Sequence, residues 1–392
     1  MKPLRLKSHE ERRLRAGHLW VFSNEVDVAK TPLTGFAPGE LCAIEDSRGK
    51  PLGVGYVNSK ALLCARLLAG NAEATIDDSW FARRIEAALA LRARLFPTPH
   101  YRLVHGESDG LPGLVVDRYG DVLVAQMATA GMDRLKAEII AALQLVLKPR
   151  GILLRNDVSS RELEGLPESV EAIGEVPDSA ELIEGEATFA APLRAGQKTG
   201  WFYDQRANRD RLARYAAGAS VLDLFSYAGG WGVRALKQGA RSALSVDSSQ
   251  TALDAAAANA QRNGVKLDTL QDDALEALKN FKREQRRFDL VVVDPPALIK
   301  RKKDFDAGVE HYARLNRLAM DVLSADGYLV SCSCSHHLDA DSLQRILLRE
   351  SRAAGRRLQI LEQGGQGADH PVHPAIPETR YLKAFFCRVF SS

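Results

Sequence analysis

Beyond about residue 186 the chain alternates short apolar runs with longer stretches whose apolar residues recur every three or four positions. VLDLFS, SALSVDSS, FDLVVVDPP and GYLVSCS read as strands. GWGVRALKQG, TALDAAAANAQRNG and YARLNRLAMDVLS read as the helices between them. Such alternation predicts an α/β domain over 186–392, with a mainly parallel sheet covered by helices. Ligands of such sheets sit beyond the C-terminal ends of the strands. The first 75 residues are patterned differently. WVFSNEV, GELCAIED, PLGVGYVN and ALLCARLL are short apolar runs parted by Gly, Pro, Asp and Asn, which predicts a small β-rich domain over 1–75. The acidic stretch GNAEATIDD marks its boundary and caps a helix expected from about Ser79 to Leu95. A central α+β domain, 76–185, holds a hairpin turning at Asp117 to Asp121, an amphipathic helix in MDRLKAEIIAALQLVL and a strand in GILLRND. A Glu-, Gly- and Pro-rich stretch without strong pattern then runs to about Glu186.

Composition changes this picture little. The 392 residues are 45% hydrophobic and 26% charged, as in ordinary globular proteins. The net charge of +3 proves no nucleic-acid partner, but basic residues cluster in MKPLRLKSHEERRLRAGHLW, in KREQRR and in KRKK. Such clusters suit phosphates, or simply a solvated surface. Five cysteines, odd in number and scattered, argue against a disulfide framework and for a reducing compartment. Neither a signal-peptide core nor an apolar run of the ~20 residues needed to span a membrane is visible. A cytoplasmic protein without a membrane partner is the expectation, and no metal site is foreseen.

Chemistry concentrates at the strand ends. In VLDLFSYAGGWG a strand meets a helix through Gly229 and Gly230, which would let backbone approach a ligand closely. The motif lacks a strict G-x-G-x-x-G. Asp223 lies in its strand, Asp247 ends SVD, Asp273 follows LQD and Asp294 ends VVVD. Asp247 is placed for ribose hydroxyls. Four acids at one sheet edge favour a neutral or cationic nucleoside over a pyrophosphate, and S-adenosylmethionine fits. The plain alternative is four helix caps. Pro295 and Pro296 stiffen the exit from the last of these strands, holding Asp294 beside the methyl donor. Ala297 and Leu298 follow, so the aromatic platform of exocyclic-amine methylation is missing.

LVSCSCSHHL places Cys332 and Cys334 one residue apart at the end of an apolar run. Their spacing makes a poor disulfide and an incomplete metal site. Cytosine C5 is not nucleophilic until a thiolate adds to C6, so a cysteine at the sheet edge would serve that chemistry, with Asp294 acting at N3. On one strand the two cysteines share a face, and periodicity does not choose between them. Position favours Cys334, which is nearer the C-terminal end. Strand packing is the plain reading of both.

GHLWVFSNEV, ESDGLPGLVVDRYGD, GQKTGWFYDQRANR, LDLFSYAGGWG, VVDPPAL, SCS and ADHPV…YLKAFFCRV occur in this order along the chain. Together they resemble the ribosomal RNA large subunit methyltransferase I family of 23S rRNA cytosine-5 methyltransferases, over nearly the whole length. The resemblance implies an N-terminal PUA domain, a central linking domain and a C-terminal Rossmann-like class I methyltransferase domain. It implies S-adenosylmethionine as donor, 23S rRNA or a large-subunit precursor as partner, and a homodimer. The family's donor-site pattern falls on Asp223, Phe225, Gly229, Asp247, Asp273 and Asp294. Its Q-K-T-G segment falls on Gln197, Lys198, Thr199 and Gly200, followed by Phe202, Asp204 and Gln205, and these are expected to close over the donor. The S-C-S cysteine falls on Cys334. The chain departs from the pattern at Leu298, where relatives carry Phe, in its doubled S-C-S-C-S, and at His336 and His337. One of those histidines is a candidate base, with exposed or capping roles as the alternative.

For RNA contact the candidates are Lys2, Arg5, Lys7, Arg12, Arg13 and Arg15 at the N-terminus, and Lys300, Arg301, Lys302 and Lys303 beside the D-P-P loop. Two other functions stay open: methylation of a base nitrogen such as guanine N7, which needs no thiol, and a non-catalytic RNA-binding assembly factor.

Overall fold

β-branched and aromatic runs between turn residues build the first five strands of the computed structural model, which describes residues 1–391. These are β1 (Lys2–Arg5), β2 (Trp20–Phe22), β3 (Glu40–Glu45), β4 (Pro51–Val57) and β5 (Leu63–Ala69), with a short helix α1 (Glu11–Arg15) after β1. They form one sheet in the order β1-β3-β4-β5-β2. Helix α2 (Asp78–Leu95) follows, its first turn capped by Asp77, whose carboxylate accepts from Trp80 N at 2.8 Å. It stops at Phe96, the residue before Pro97, where the α conformation is disfavoured.

A second sheet contains β6 (His100–His105), β7 (Leu114–Tyr119), β8 (Val122–Met127), β9 (Gly151–Arg155) and β10 (Val170–Gly174), in the order β10-β9-β8-β7-β6. The helix expected in MDRLKAEIIAALQLVL is two helices, α3 (Ala130–Arg134) and α4 (Lys136–Leu147). In α3, Gly131 lies so close on the Tyr56 ring that a Cβ would meet it at 2.1 Å, which ties this turn to the first sheet. A short α5 (Ser160–Leu163) precedes β10. Val54, Tyr56, Trp80, Leu103, Val116 and Ile139 share one core in this unit, which comprises Met1–Ala180, Pro192–Tyr203 and Ala368–Thr379.

The second unit comprises Glu181–Ala191, Asp204–Gly367 and Arg380–Ser392. The stretch without pattern in the sequence contributes β11 (Ser179–Glu184), which pairs with β12 (Ala187–Pro192). Helices α6 (Arg206–Arg211) and α7 (Ala213–Ala216) lead into β13 (Ser220–Leu224), α8 (Gly230–Lys237), β14 (Ser242–Asp247), α9 (Gln250–Arg262), β15 (Asp268–Gln271), α10 (Ala274–Arg283), β16 (Phe288–Val293), α11 (Phe305–Asp321), β17 (Leu323–Ser333), α12 (Ala340–Ala353), β18 (Arg356–Gly364) and β19 (Lys383–Ser391). The seven strands run in the order β15-β14-β13-β16-β17-β19-β18. The first five are parallel to their neighbours, while β19 is antiparallel to both β17 and β18.

Period-two alternation sorts the side chains. Leu222, Leu224, Val291 and Val293 pack beneath α10, α11 and α12, and Val221, Leu290 and Val292 pack beneath α7 and α8. The strand order reverses between β13 and β16, and their C-terminal ends flank the crevice where doubly wound sheets take ligands. No helix among the described residues is long and apolar enough to cross a membrane.

Candidate active site

β13 carries Asp223 into the floor of this edge, fully buried. Its Oδ2 accepts from Gly232 N at 3.0 Å and from the Ser245 hydroxyl at 3.2 Å. Its Oδ1 is buried without a protein partner. Burial, reinforced by repulsion from Asp294 and Asp247 against those two hydrogen bonds, pushes its pKa up to about 7. A buried acceptor left open in this way is the kind of group that a cationic ligand satisfies.

The loop after β13 is bent tightly. Phe225 and Tyr227 take φ values of 61° and 47°, a left-handed region that is uncommon outside glycine and found at ligand clamps. Gly229 has φ 78°, and a Cβ there would meet the Ala256 Cβ at 2.9 Å. The glycine is therefore needed for its turn and for the close approach of α9. Asp247, at the end of β14, accepts from Tyr227 N and from Ser249 N, both at 2.9 Å. Each of its oxygens keeps a lone pair for a hydroxyl. Open acceptors at Asp223 and Asp247 fit the cationic amino acid part and the ribose of S-adenosylmethionine.

Asp294 ends the next strand. Gln205 Nε2 donates to its Oδ1 at 2.8 Å and Trp231 Nε1 to its Oδ2 at 2.9 Å. The carboxylate keeps some accessible surface, yet the surrounding protein raises its pKa to about 6 through burial, with repulsion from Asp204 adding to it. Gln205 is itself held, its Oε1 accepting from Asn208 Nδ2 at 2.7 Å, and it shares a hydrogen bond with the Cys332 thiol. A residue expected against the donor is thus a buried brace for Asp294 and Cys332.

The two cysteines part company here. β17 ends at Ser333, so Cys332 lies inside the ladder opposite Ala384 and Cys334 lies just past it. Cys332 is fully buried on the face beneath α8, and burial pushes its thiol well above the ordinary range. Cys334 is half-buried, the one cysteine of five that is not fully enclosed. Its thiol lies 3.8 Å from the carbonyl oxygen of Pro295, directly after Asp294.

The residues around Cys334 are pinned. Ser333 Oγ donates to Tyr312 OH at 2.9 Å and accepts from Ser335 N at 3.2 Å. Ser335 Oγ accepts from Ile299 N at 3.1 Å and bonds Tyr312 OH at 2.9 Å. Lys383 Nζ donates to the carbonyl of Ser335 at 2.7 Å. Trp231, Tyr312, Ser335 and Lys383 escaped the sequence reading because their partners lie far along the chain. Only the S-C-S serines and the K in YLKAFF hinted at them.

Asp273 is exposed and caps α10, its carboxylate accepting from Leu275 N and Glu276 N. Lys198, Thr199 and Phe202 belong to the first unit. There Thr199 Oγ1 donates to Asp117 at 2.5 Å, and the Lys198 ammonium lies 5.1 Å from the Phe202 ring centre. His336 and His337 are exposed, their rings 5.2 Å apart. Of the basic N-terminal residues, Arg5, Arg13 and Arg15 pair with Glu45, Glu25 and Asp46. Lys2 pairs with Glu40, Lys7 donates to Asn24 O, and Arg12 contacts His9. Lys300 to Lys303 are exposed, and of these Arg301 pairs with Asp304. No group of His, Cys, Asp and Glu among the described residues is arranged to hold a metal ion.

Comparison with known proteins agrees with this geometry. A model of a PUA-like domain matches residues 4–69, and one of an S-adenosylmethionine-dependent methyltransferase matches residues 166–388. Ribosomal RNA large subunit methyltransferase I of Erwinia tasmaniensis is 38% identical, covering 98% of each chain. That of Klebsiella pneumoniae is 37% identical, covering 98% of this chain and 97% of its own. Among solved structures, a methyltransferase complexed with SAH superposes with a TM-score of 0.85 at 21% identity, covering 99% of this chain and 100% of its own. A SAM-dependent methyltransferase from Streptococcus mutans superposes with a TM-score of 0.83 at 20% identity, with the same coverage. At such identities these two speak for the fold alone. The donor-site acids, the doubly wound sheet and the near-full-length likeness converge: the chain belongs to the ribosomal RNA large subunit methyltransferase I family of S-adenosylmethionine-dependent methyltransferases, with a PUA-like domain at its N-terminus.

Proposed function

We propose that this methyltransferase modifies C5 of a cytosine in 23S rRNA through a covalent bond between Cys334 and C6 of the base. The observation that carries the reading is the meeting of two strand ends: the Cys334 thiol lies 3.8 Å from Pro295 O, next to Asp294. The names of the relatives supply the rRNA. The PUA-like domain supplies an RNA-binding module, and Lys300 to Lys303 follow the D-P-P turn as exposed phosphate partners. A cytoplasmic homodimer belongs to the same reading, and light scattering checks the dimer.

S-adenosylmethionine supplies an electrophilic methyl group when bound. Asp223 Oδ1 would face its positive charge and Asp247 its ribose hydroxyls. The remaining chemistry belongs to the base and to this chain. The target must leave its helix for C5 and C6 to be reached. The Cys334 thiolate adds to C6, and the C5–C6 double-bond electrons become available at C5. Asp294, its pKa raised to about 6, donates a proton toward N3 and stabilises the adduct. C5 takes the methyl group and gives up its proton to water, the N3 proton returns to Asp294, and the re-formed double bond expels the thiolate.

The test is methyl transfer from labelled donor to unmodified large-subunit rRNA, followed by digestion to nucleosides. The expected product is 5-methylcytidine, abolished by Cys334→Ala. Label on a purine, or full activity of Cys334→Ala, overturns the reading.

A further inference from the structure

Lys383 is a buried ammonium with no carboxylate partner among the described residues. It opens β19 directly opposite Ser333, so both side chains lie on the face beneath α11 and α12. Two of its three N–H donors are taken by carbonyl oxygens, Ser335 O at 2.7 Å and Tyr381 O at 2.8 Å. Neither acceptor carries a full negative charge. A buried charge held by neutral dipoles alone is costly, and burial accordingly lowers its pKa to about 8. The groups electrostatically coupled to it are Cys334 and Asp339, both of which favour its charged form. The Asp339 carboxylate is engaged at the start of α12, where it accepts from Ser342 N at 2.7 Å.

Tyr312 on α11 is held neutral by burial, as is Cys332 on the same strand. Asp294 lies across the edge and is acidic, and His336 and His337 turn to solvent.

We propose that Lys383 is a positioning residue whose ammonium is the counter-charge for the Cys334 thiolate, fixing the Ser335 peptide with one donor while its field holds the neighbouring sulfur in its nucleophilic form. The inference rests on the reading of Cys334 as the nucleophile, and it gives the lysine an anion beside the one that Asp339 supplies. A thiolate beside a lysine is the arrangement that makes a cysteine reactive near neutral pH.

The experiment is alkylation of the full-length protein by iodoacetamide as a function of pH, with Cys334 modification read by peptide mass spectrometry. The four buried cysteines serve as internal references. In wild type the rate at Cys334 should rise with a midpoint below the ~8.5 of a free thiol. Lys383→Met, similar in shape and uncharged, should move that midpoint upward and slow alkylation at pH 7 about tenfold. Lys383→Arg should restore most of the rate. An unchanged midpoint in folded Lys383→Met overturns the proposal. If that variant does not fold, a wild-type midpoint at or above that of a free thiol overturns it instead, and one below it, kept in Lys383→Arg, supports it. Methyl transfer by Cys334→Ala is scored separately: retained activity there removes the nucleophile reading without altering the measured coupling between Lys383 and Cys334.

Discussion

Trp231 Nε1 and Gln205 Nε2 each donate to one oxygen of Asp294, at 2.9 and 2.8 Å. The D-P-P carboxylate is therefore fixed by a tryptophan from α8 and a glutamine from the segment before α6. Both donors favour its charged form. Gln205→Met removes one, so the pKa of Asp294 should rise further from about 6. The limb of the methyl-transfer pH profile that reports this group should move to higher pH by up to about one unit. A profile that stays in place would show that the bond does not tune the carboxylate.

On the proposed reading, Asp223 sets donor binding against stability. Its folded pKa, about 7, lies above the ordinary 3.8. The folded state thus holds a proton that the unfolded chain releases, and the resulting penalty grows as pH rises from about 4 to 7, then stays constant. At neutral pH it is on the order of 4 kcal/mol. Asp223→Asn should melt above wild type at pH 7.5, with the gap closing toward pH 4, while calorimetry finds donor binding weakened at least tenfold.

The two cysteines should separate cleanly under mutation. Cys334→Ala should lose methyl transfer by more than a thousandfold and keep its melting temperature. Cys332→Ala leaves a small void in the packed face between β17 and α8, which costs roughly 1–2 kcal/mol of stability. Its activity should persist at temperatures well below the melt. The reverse pattern would move the nucleophile to Cys332.

Gly229→Ala meets two obstacles, a φ of 78° and the Ala256 Cβ at 2.9 Å. The expected loss is about 1–3 kcal/mol in thermal or urea unfolding. Adding Ala256→Gly should recover only part of it, because the backbone strain remains.

Neutralising the exposed lysines after the D-P-P turn tests the RNA path. The triple replacement of Lys300, Lys302 and Lys303 by Gln should weaken rRNA binding. It should also lower the slope of log affinity against log salt by ~0.7–0.9 for each phosphate that these lysines neutralise in the wild type. An unchanged slope would place the RNA elsewhere.

The alternating runs from β13 to β17 were legible because β13, β14, β16 and the second half of β17 are mostly apolar and the helices keep their period, whereas β15 is the polar, exposed DTLQ. The acids stood out because Asp247 and Asp294 each close a short apolar run. β11 stayed hidden although its residues alternate between buried and exposed. One of its inward positions is Glu184, which pairs with Arg209 at 2.5 Å and so reads as polar until its partner is known. Asp273 caps α10, and the sequence does not tell a capping carboxylate from a ligand-binding one, because both share the same address at a strand's end. Lys383 and Trp231 were illegible for a different cause. Their roles depend on Ser335 and Asp294, brought near by pairing between distant strands, and no local period records such a meeting.

The chain passes from one unit to the other after residues 180, 191, 203, 367 and 379. A gene fragment encoding only the first 180 residues would lack 192–203 and 368–379, while the remainder would carry both as passengers. No single recombination event can therefore transplant either unit whole and by itself into another protein. Any one contiguous stretch of the gene encodes only part of one unit or carries segments of both, so a cut that moves a single stretch leaves at least one of them incomplete.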